Sequence, residues 1–178
     1  RTGRVRIPEA LVREALLKAP KVVRLGARQK DHSLKLEAGK KVSFTTFGKG
    51  TQIFDFERKE VRPSSEKDIT ESAIIADWCE NIDFYFRTLS AMDKFHEGLC
   101  PFVHELYACV KGTSKHVHIG PESEYEDYFY EIALRLMGGD EHDLRLNPLV
   151  SYVTCPTSPL QLGVNASQII IRGAEKSI

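Results

Sequence analysis

The sequence predicts an α/β fold, in which about three βα units build a parallel sheet behind a helix and a small antiparallel β-meander. Apolar residues first recur at helical spacing, and then alternate with polar residues between positions 22 and 61. From residue 83 onward, strand-like and helix-like segments follow one another three times. Such alternation favours βα units and a parallel sheet, in a barrel or in an open doubly wound fold.

Residues 1–62 are predicted to be an extension made of the helix and the meander. PEALVREALLKAP (8–20) has apolar residues at helical spacing, and Pro8 suits a first turn while Pro20 ends the helix. In the meander, KDH, EAGK and FGKGT interrupt the alternating segments. We interpret them as turns between antiparallel strands, with FGKGT (47–51) as a hairpin turn.

Residues 63–178 are predicted to hold the βα units. A helix over about 66–81 comes first, and Ser64 or Ser65 is placed to cap it. The three strands are expected in DFYFRTLSAMD (83–93), KHVHIGP (115–121) and LVSYVTCP (149–156). The last helix, roughly 163–177, should lead into another parallel strand, and three strands cannot close a barrel. We therefore expect this chain to be part of a longer polypeptide.

Composition and charge argue against several classes of function. Lys+Arg and Asp+Glu are equal at 25 each, so there is no positive field to attract nucleic acid or an anionic membrane. No apolar run approaches the roughly 18 residues that cross a bilayer, and no signal peptide is recognisable. The four scattered cysteines form no CxxC pair and favour free thiols in a reducing cytosol. We expect a cytoplasmic protein with no nucleic-acid or membrane partner.

Candidate site residues follow the predicted strands, because ligands bind at the carboxyl ends of parallel strands. Asp93 ends the first strand and would balance a cation or take a proton, or else caps a helix or forms a salt bridge. His118 belongs to the second strand. Cys155, Thr157 and Ser158 follow the third strand, where the last two alternatively cap the next helix.

Two further groups each have a functional and a structural interpretation. His116 and His118 lie two residues apart on a strand and so face the same side. They suit a metal site only with a third ligand, and a hydrogen-bonding histidine is the alternative. Tyr85, Phe86 and Tyr152 would hold an alkylammonium cation against their rings, whereas core packing is the alternative for each.

Three segments together resemble the trimethylamine methyltransferase family. They are RVRIPEALVREALLKAP, VRPSSEKDITESAIIADWCENIDFYF and SYVTCPTSPLQLGVNASQIIIRGAEKSI, in this order along nearly the whole chain. The resemblance implies a (β/α)8 TIM-type barrel with an N-terminal extension, of which this chain is the N-terminal portion. It also implies methyl transfer from trimethylamine or a betaine-like quaternary amine to the cobalt of a separate corrinoid protein.

The resemblance further implies that the partner protein carries the corrinoid (cobalamin) and that this chain binds no metal directly. Asp93 would balance the cation, while His118 with Thr157 or Ser158 would hold a substrate carboxylate, and Tyr152 would contribute to an aromatic cage. We expect a homo-oligomer whose isolated fragment is inactive. Two alternatives stay open: another barrel enzyme with a metal site at His116 and His118, and a non-enzymatic docking module built on the meander.

Overall fold

The computed structural model describes residues 4–95 and 101–176. The helices are α1 Glu9–Lys18, α2 Glu66–Trp78, α3 Pro101–Gly112, α4 Glu126–Leu136, α5 Glu141–Leu146 and α6 Val164–Lys176. The strands are β1 Val22–Leu25, β2 Leu34–Glu37, β3 Gln52–Asp55, β4 Glu60–Pro63, β5 Tyr85–Phe86, β6 Val117–Ile119 and β7 Val150–Tyr152. No helix among these is long and apolar enough to cross a membrane.

The three strands predicted between residues 83 and 156 form one parallel sheet in the order β5-β6-β7. Its register places Tyr85 beside Val117 and Val117 beside Val150. These three side chains are buried against the helices, in a core whose largest members also include Ile69, Leu106, Ile119, Phe129 and Leu144. Whether further strands extend this sheet into a barrel stays a prediction.

The helix that leads into the sheet is α2, and its start was predicted correctly. The Ser65 hydroxyl accepts from the Asp68 N–H while the Asp68 carboxylate accepts from the Ser65 N–H, which is a capping box. Arg62 donates two hydrogen bonds of 2.8 Å to the same carboxylate and holds the pKa of Asp68 at about 2. A short helix, α5, was not predicted, although Asp140 caps it.

The predicted meander is wrong in two respects. Its antiparallel strands form two separate pairs, β1-β2 and β3-β4, rather than one continuous sheet. FGKGT (47–51) is not a hairpin turn either. It lies beside the Thr88–Leu89 backbone, where the Gly50 N–H donates to Thr88 O at 2.9 Å. Gly48 has a φ of 141°, which residues with a Cβ rarely adopt, and a Cβ there would lie 3.1 Å from the same oxygen, so this position favours glycine.

The N-terminal segment contacts the sheet on two sides. Along β5, Thr45 pairs with Phe84 and Gly50 with Leu89 in parallel bridges, and this covers one edge of the sheet. At the amino ends of the strands, the Gly26 N–H donates to Pro148 O at 2.9 Å. Parts of the segment's backbone are therefore paired with the sheet. The alternative of a docking module built on the meander stays a prediction.

Candidate functional site

A cavity of about 520 Å³ lies at the carboxyl ends of the three parallel strands. It is the position at which parallel α/β sheets bind their ligands. The residues that line it come from β5, from the loops after β6 and β7, from α6 and from the N-terminal segment; they include Phe86, Arg87, Gly120, Glu122, Thr157 and Lys49. We take this cavity and the adjoining sheet face as the candidate functional site.

Thr157 lines the cavity, as does the exposed Cys155, whereas Ser158 is exposed on the neighbouring turn. The Thr157 and Gln161 backbones exchange hydrogen bonds of 3.0 and 2.7 Å, which close a tight turn between β7 and α6. Since α6 begins only at Val164, neither Thr157 nor Ser158 caps it. The capping alternative for these two residues was wrong.

Asp93 is not among the residues that line this cavity. Its Oδ1 accepts the Glu66 backbone N–H at 2.9 Å, at the first turn of α2. An acidic side chain there satisfies a free N–H group and interacts favourably with the helix dipole. The structure therefore places Asp93 in the helix-capping role that was its alternative interpretation.

Tyr152 and Tyr85 face the helical layer rather than the opposite side of the sheet. The Tyr152 ring packs at 6.2 Å from that of Phe129, its hydroxyl donates to Glu126 O at 3.3 Å, and burial raises its pKa. The Tyr85 hydroxyl lies 2.7 Å from Ser72 Oγ on α2. Of the proposed aromatic cage, only Phe86 lines the cavity. The packing alternative holds for both tyrosines.

The sheet face opposite the helices carries the two histidines. The register places His118 between Phe86 and Ser151. Its imidazole centroid lies 4.8 Å from that of Phe86, and its Nδ1 lies 2.7 Å from Ser151 Oγ. The same hydroxyl lies 2.7 Å from His116 Nε2. Ser151 was missed from the sequence, although a polar residue between Val150 and Tyr152 is the alternation that marks it.

The His116 and His118 pair is poorly placed for a metal. His116 is fully buried, and its Nδ1 lies 3.0 Å from both Gly26 O and Pro148 O while its Nε2 contacts Ser151. Both of its nitrogens are thus engaged. Within residues 4–95 and 101–176, no group of three or more His, Cys, Asp or Glu side chains is arranged to hold a metal ion. The alternative of a metal site at this pair has no support in these contacts.

A buried ion pair borders the cavity, and it too was missed. Arg87 follows β5 and lines the cavity, while Glu105 lies on α3, and their side chains are only 2% and 1% exposed. Glu105 Oε1 also accepts the Ala91 N–H at 3.1 Å. The Arg87 charge is therefore compensated inside the protein. Lys49 adds a second cation, which lies 4.6 Å from the centroid of the Phe102 ring.

Three of the four cysteines are free thiols, as expected: Cys79, Cys109 and Cys155. The fourth, Cys100, lies outside the described residues. Burial raises the pKa of the Cys109 thiol to about 12, so it is not a nucleophile at neutral pH.

Comparison of the sequence with known proteins relates this chain to one protein family. The family described as "Trimethylamine methyltransferase (MTTB)" matches residues 1–177. The chain is 42% identical over 177 residues to trimethylamine methyltransferase MttB2 of Methanosarcina mazei, a match that covers 98% of this chain and 36% of that relative. It is 35% identical to MttB of Desulfitobacterium hafniense, over 100% of this chain and 35% of the relative. The chain thus spans about a third of the length of these relatives.

Proposed function

This chain belongs to the trimethylamine methyltransferase family, and from that membership we propose a function for the full-length protein. It transfers a methyl group from a tertiary or quaternary methylated amine to the cobalt of a corrinoid protein. The observation that carries this proposal is the family match over residues 1–177, together with relatives that are named methyltransferases. The amine substrate and the corrinoid partner are the parts of the proposal that need a direct test.

The described residues support a role for this chain as the N-terminal extension and the first three βα units of a (β/α)8 barrel. Three consecutive strands pair in parallel, and the cavity lies at their carboxyl ends. Among the described residues, no strand pairs with the outer edge of β7. We propose that the rest of the polypeptide continues the sheet from this edge and closes the barrel.

The size of the cavity suits a small-molecule ligand such as a methylated amine. Its volume of about 520 Å³ lies in the usual range for small-molecule sites, roughly 300–1,000 Å³. This accords with a corrinoid that belongs to the partner protein and acts as the methyl acceptor, supplying the nucleophile. The contribution of this chain is then to bind and orient the amine, because correct placement of the methyl carbon lowers the barrier by itself.

The test uses a polypeptide of the relatives' full length that carries this chain. We would mix it with a reduced corrinoid protein, add trimethylamine or glycine betaine in separate reactions, and follow the visible spectrum of the corrinoid protein on methylation. A spectral change with one amine would support the proposal and identify the substrate. A folded protein that gives no change with a panel of methylated amines would refute it.

A further inference from the structure

A short chain of hydrogen bonds runs across the sheet face opposite the helices. It connects the carbonyls of Gly26 and Pro148 to His116, His116 to Ser151, and Ser151 to His118. Each ring nitrogen in the chain either donates or accepts, and carbonyl oxygens only accept. The direction of every bond therefore follows from its first members.

His116 determines the first two directions. Its Nδ1 faces two carbonyl oxygens at 3.0 Å, so this nitrogen carries the hydrogen. Burial lowers the pKa of His116 to about 4, so the ring is neutral at pH 7 and Nε2 has a free lone pair. Ser151 Oγ, 2.7 Å away, must donate its single hydrogen to that lone pair.

Ser151 then determines the state of His118. Having donated its hydrogen to His116, the hydroxyl can only accept at 2.7 Å from His118 Nδ1, so that nitrogen carries a hydrogen. Burial also lowers the pKa of His118, which keeps its ring neutral at pH 7. In a neutral ring with Nδ1–H, Nε2 is a hydrogen-bond acceptor. Among residues 4–95 and 101–176, His118 makes its hydrogen bond through Nδ1 and no hydrogen bond to Nε2 is found, and the side chain is half-buried.

Two phenylalanine rings pack against the imidazole that carries this acceptor. The Phe86 and Phe84 rings stand at 76° and 87° to the His118 imidazole, with centroids 4.8 and 6.2 Å from it. Phe86 also lines the cavity at the ends of the strands. Aromatic rings attract alkylammonium cations and tolerate their apolar alkyl groups. A single acceptor set among phenylalanines suits a cation that has one N–H group and several alkyl groups.

We propose that His118 Nε2 accepts a hydrogen bond from the N–H of a protonated tertiary amine, and that the site thereby selects a trialkylammonium over a tetraalkylammonium ion. This inference rests on the proposed function. It also replaces the expectation that His118 holds a substrate carboxylate, since an unprotonated nitrogen has no hydrogen to offer one.

The proton stays on the amine in this arrangement. Alkylammonium groups, such as that of lysine with a pKa of about 10.4, hold their proton far more tightly than an imidazolium with a pKa of about 6.5. His118 therefore orients the amine without removing its proton. When the methyl–nitrogen bond breaks, its electron pair remains on the nitrogen, and the trialkylammonium leaves as a neutral dialkylamine.

Binding of two probe ions to the full-length protein tests the selectivity, with no corrinoid protein present. Calorimetry at pH 7 would compare trimethylammonium with tetramethylammonium, which has no N–H. We expect trimethylammonium to bind at least about tenfold more tightly, because only this ion can donate a charge-assisted hydrogen bond to His118. Equal affinities would overturn the inference.

Two variants of His118 separate the acceptor from the rest of the side chain. In His118→Asn the amide can still donate to Ser151, but no atom reaches the position of Nε2, so the preference for trimethylammonium should disappear. In His118→Gln the amide oxygen can reach that position, so part of the preference should return. Ser72→Ala is the control, since it removes a hydroxyl on the helix side of the same sheet. It should keep the full preference.

The outcomes also separate this inference from the proposed function. Methyl transfer from trimethylamine by a protein that binds both ions equally would overturn the role of His118 and leave the function standing. Absence of both binding and transfer would refute the proposed function and this inference together.

Nitrogen NMR of the unmodified protein gives a test that needs no variant. We expect His118 to be protonated on Nδ1 only, and a hydrogen on Nε2 at pH 7 would refute the proposal.

Discussion

His116 illustrates how burial controls the charge of a single residue at this site. It is fully buried and both of its nitrogens make hydrogen bonds; the two carbonyl contacts place its hydrogen on Nδ1, and burial keeps the ring neutral. The pKa of about 4 in the folded protein lies below the unfolded value of about 6.5. Between these values the unfolded state binds more protons, so protonation favours unfolding.

The prediction concerns the pH dependence of stability. The contribution of His116 should be fully present above about pH 6.5 and should be lost as the pH falls toward 4, by about 3 kcal/mol in total. Urea unfolding over this window checks it, with His116→Asn as the comparison because asparagine does not titrate. NMR titration of the His116 ring gives a direct reading, and a midpoint near 6.5 would contradict the prediction.

The ion pair of Arg87 and Glu105 is the second feature at the residue scale. Both side chains are almost fully buried, so each charge depends on the other. Glu105→Gln keeps the size of the side chain but leaves the Arg87 charge without its partner, and we expect it to lower the free energy of unfolding by about 3–5 kcal/mol. Urea unfolding measures this loss.

A matched control removes a carboxylate charge from an exposed pair. Glu9 pairs with Arg13 on α1, and the two side chains are 77% and 75% exposed. Water screens such pairs, so Glu9→Gln should change stability by less than about 0.5 kcal/mol. Similar losses for Glu105→Gln and Glu9→Gln would show that the Arg87 and Glu105 charges are not buried together.

At the scale of elements, the close packing of α2 against α3 depends on Gly112. A Cβ at this position would lie 2.5 Å from Thr70 O and 2.6 Å from the Ala73 Cβ on α2. Gly112→Ala should therefore destabilise the protein by about 1–3 kcal/mol, despite the better helix propensity of alanine, because the two helices must move apart. Thermal or urea unfolding checks the sign.

Gly163 provides the corresponding control, since no atom lies within 4 Å of the position of its Cβ. Gly163→Ala should change the free energy of unfolding by less than about 0.5 kcal/mol. If Gly112→Ala were as neutral as Gly163→Ala, the contact between α2 and α3 would be looser than the structure shows.

At the scale of the whole molecule, the outer edge of β7 is the main prediction. Val153 donates its N–H to Ile119 O across the sheet, so the neighbouring Tyr152 N–H points to the opposite edge. Apolar side chains are also exposed on α6, the helix that follows β7, with Ile170 and Ile171 at 51% and 58%. An open edge and exposed apolar residues favour association between copies.

The 178-residue chain by itself should therefore self-associate, and its Tyr152 amide should exchange quickly with solvent. In the full-length polypeptide the proposed next strand would protect that amide. Hydrogen exchange with size-exclusion chromatography compares the two proteins. Equally fast exchange of the Tyr152 amide in a folded full-length protein would contradict the continuation of the sheet from β7.

Local sequence patterns were sufficient to predict the elements whose signal is local. Helical spacing and end residues predicted α1 and α2, and the repeated alternation of strand and helix predicted the three parallel strands in their order along the chain. The position of Thr157 at the cavity also followed, because it depends only on which strand precedes it. Family membership was apparent from the same segments, and the family match confirms it.

Contacts between separate segments could be established from the folded structure alone. The N-terminal strands form two separate pairs, and FGKGT lies along β5 because its backbone finds a partner more than 30 residues away, at Thr88. The contacts of Ser151 with His116 and His118, and of Arg87 with Glu105, likewise join separate elements. Periodicity records only which side a residue faces relative to its neighbours in the chain. Which side becomes the core, and which becomes the site, depends on long-range packing that local pattern does not contain.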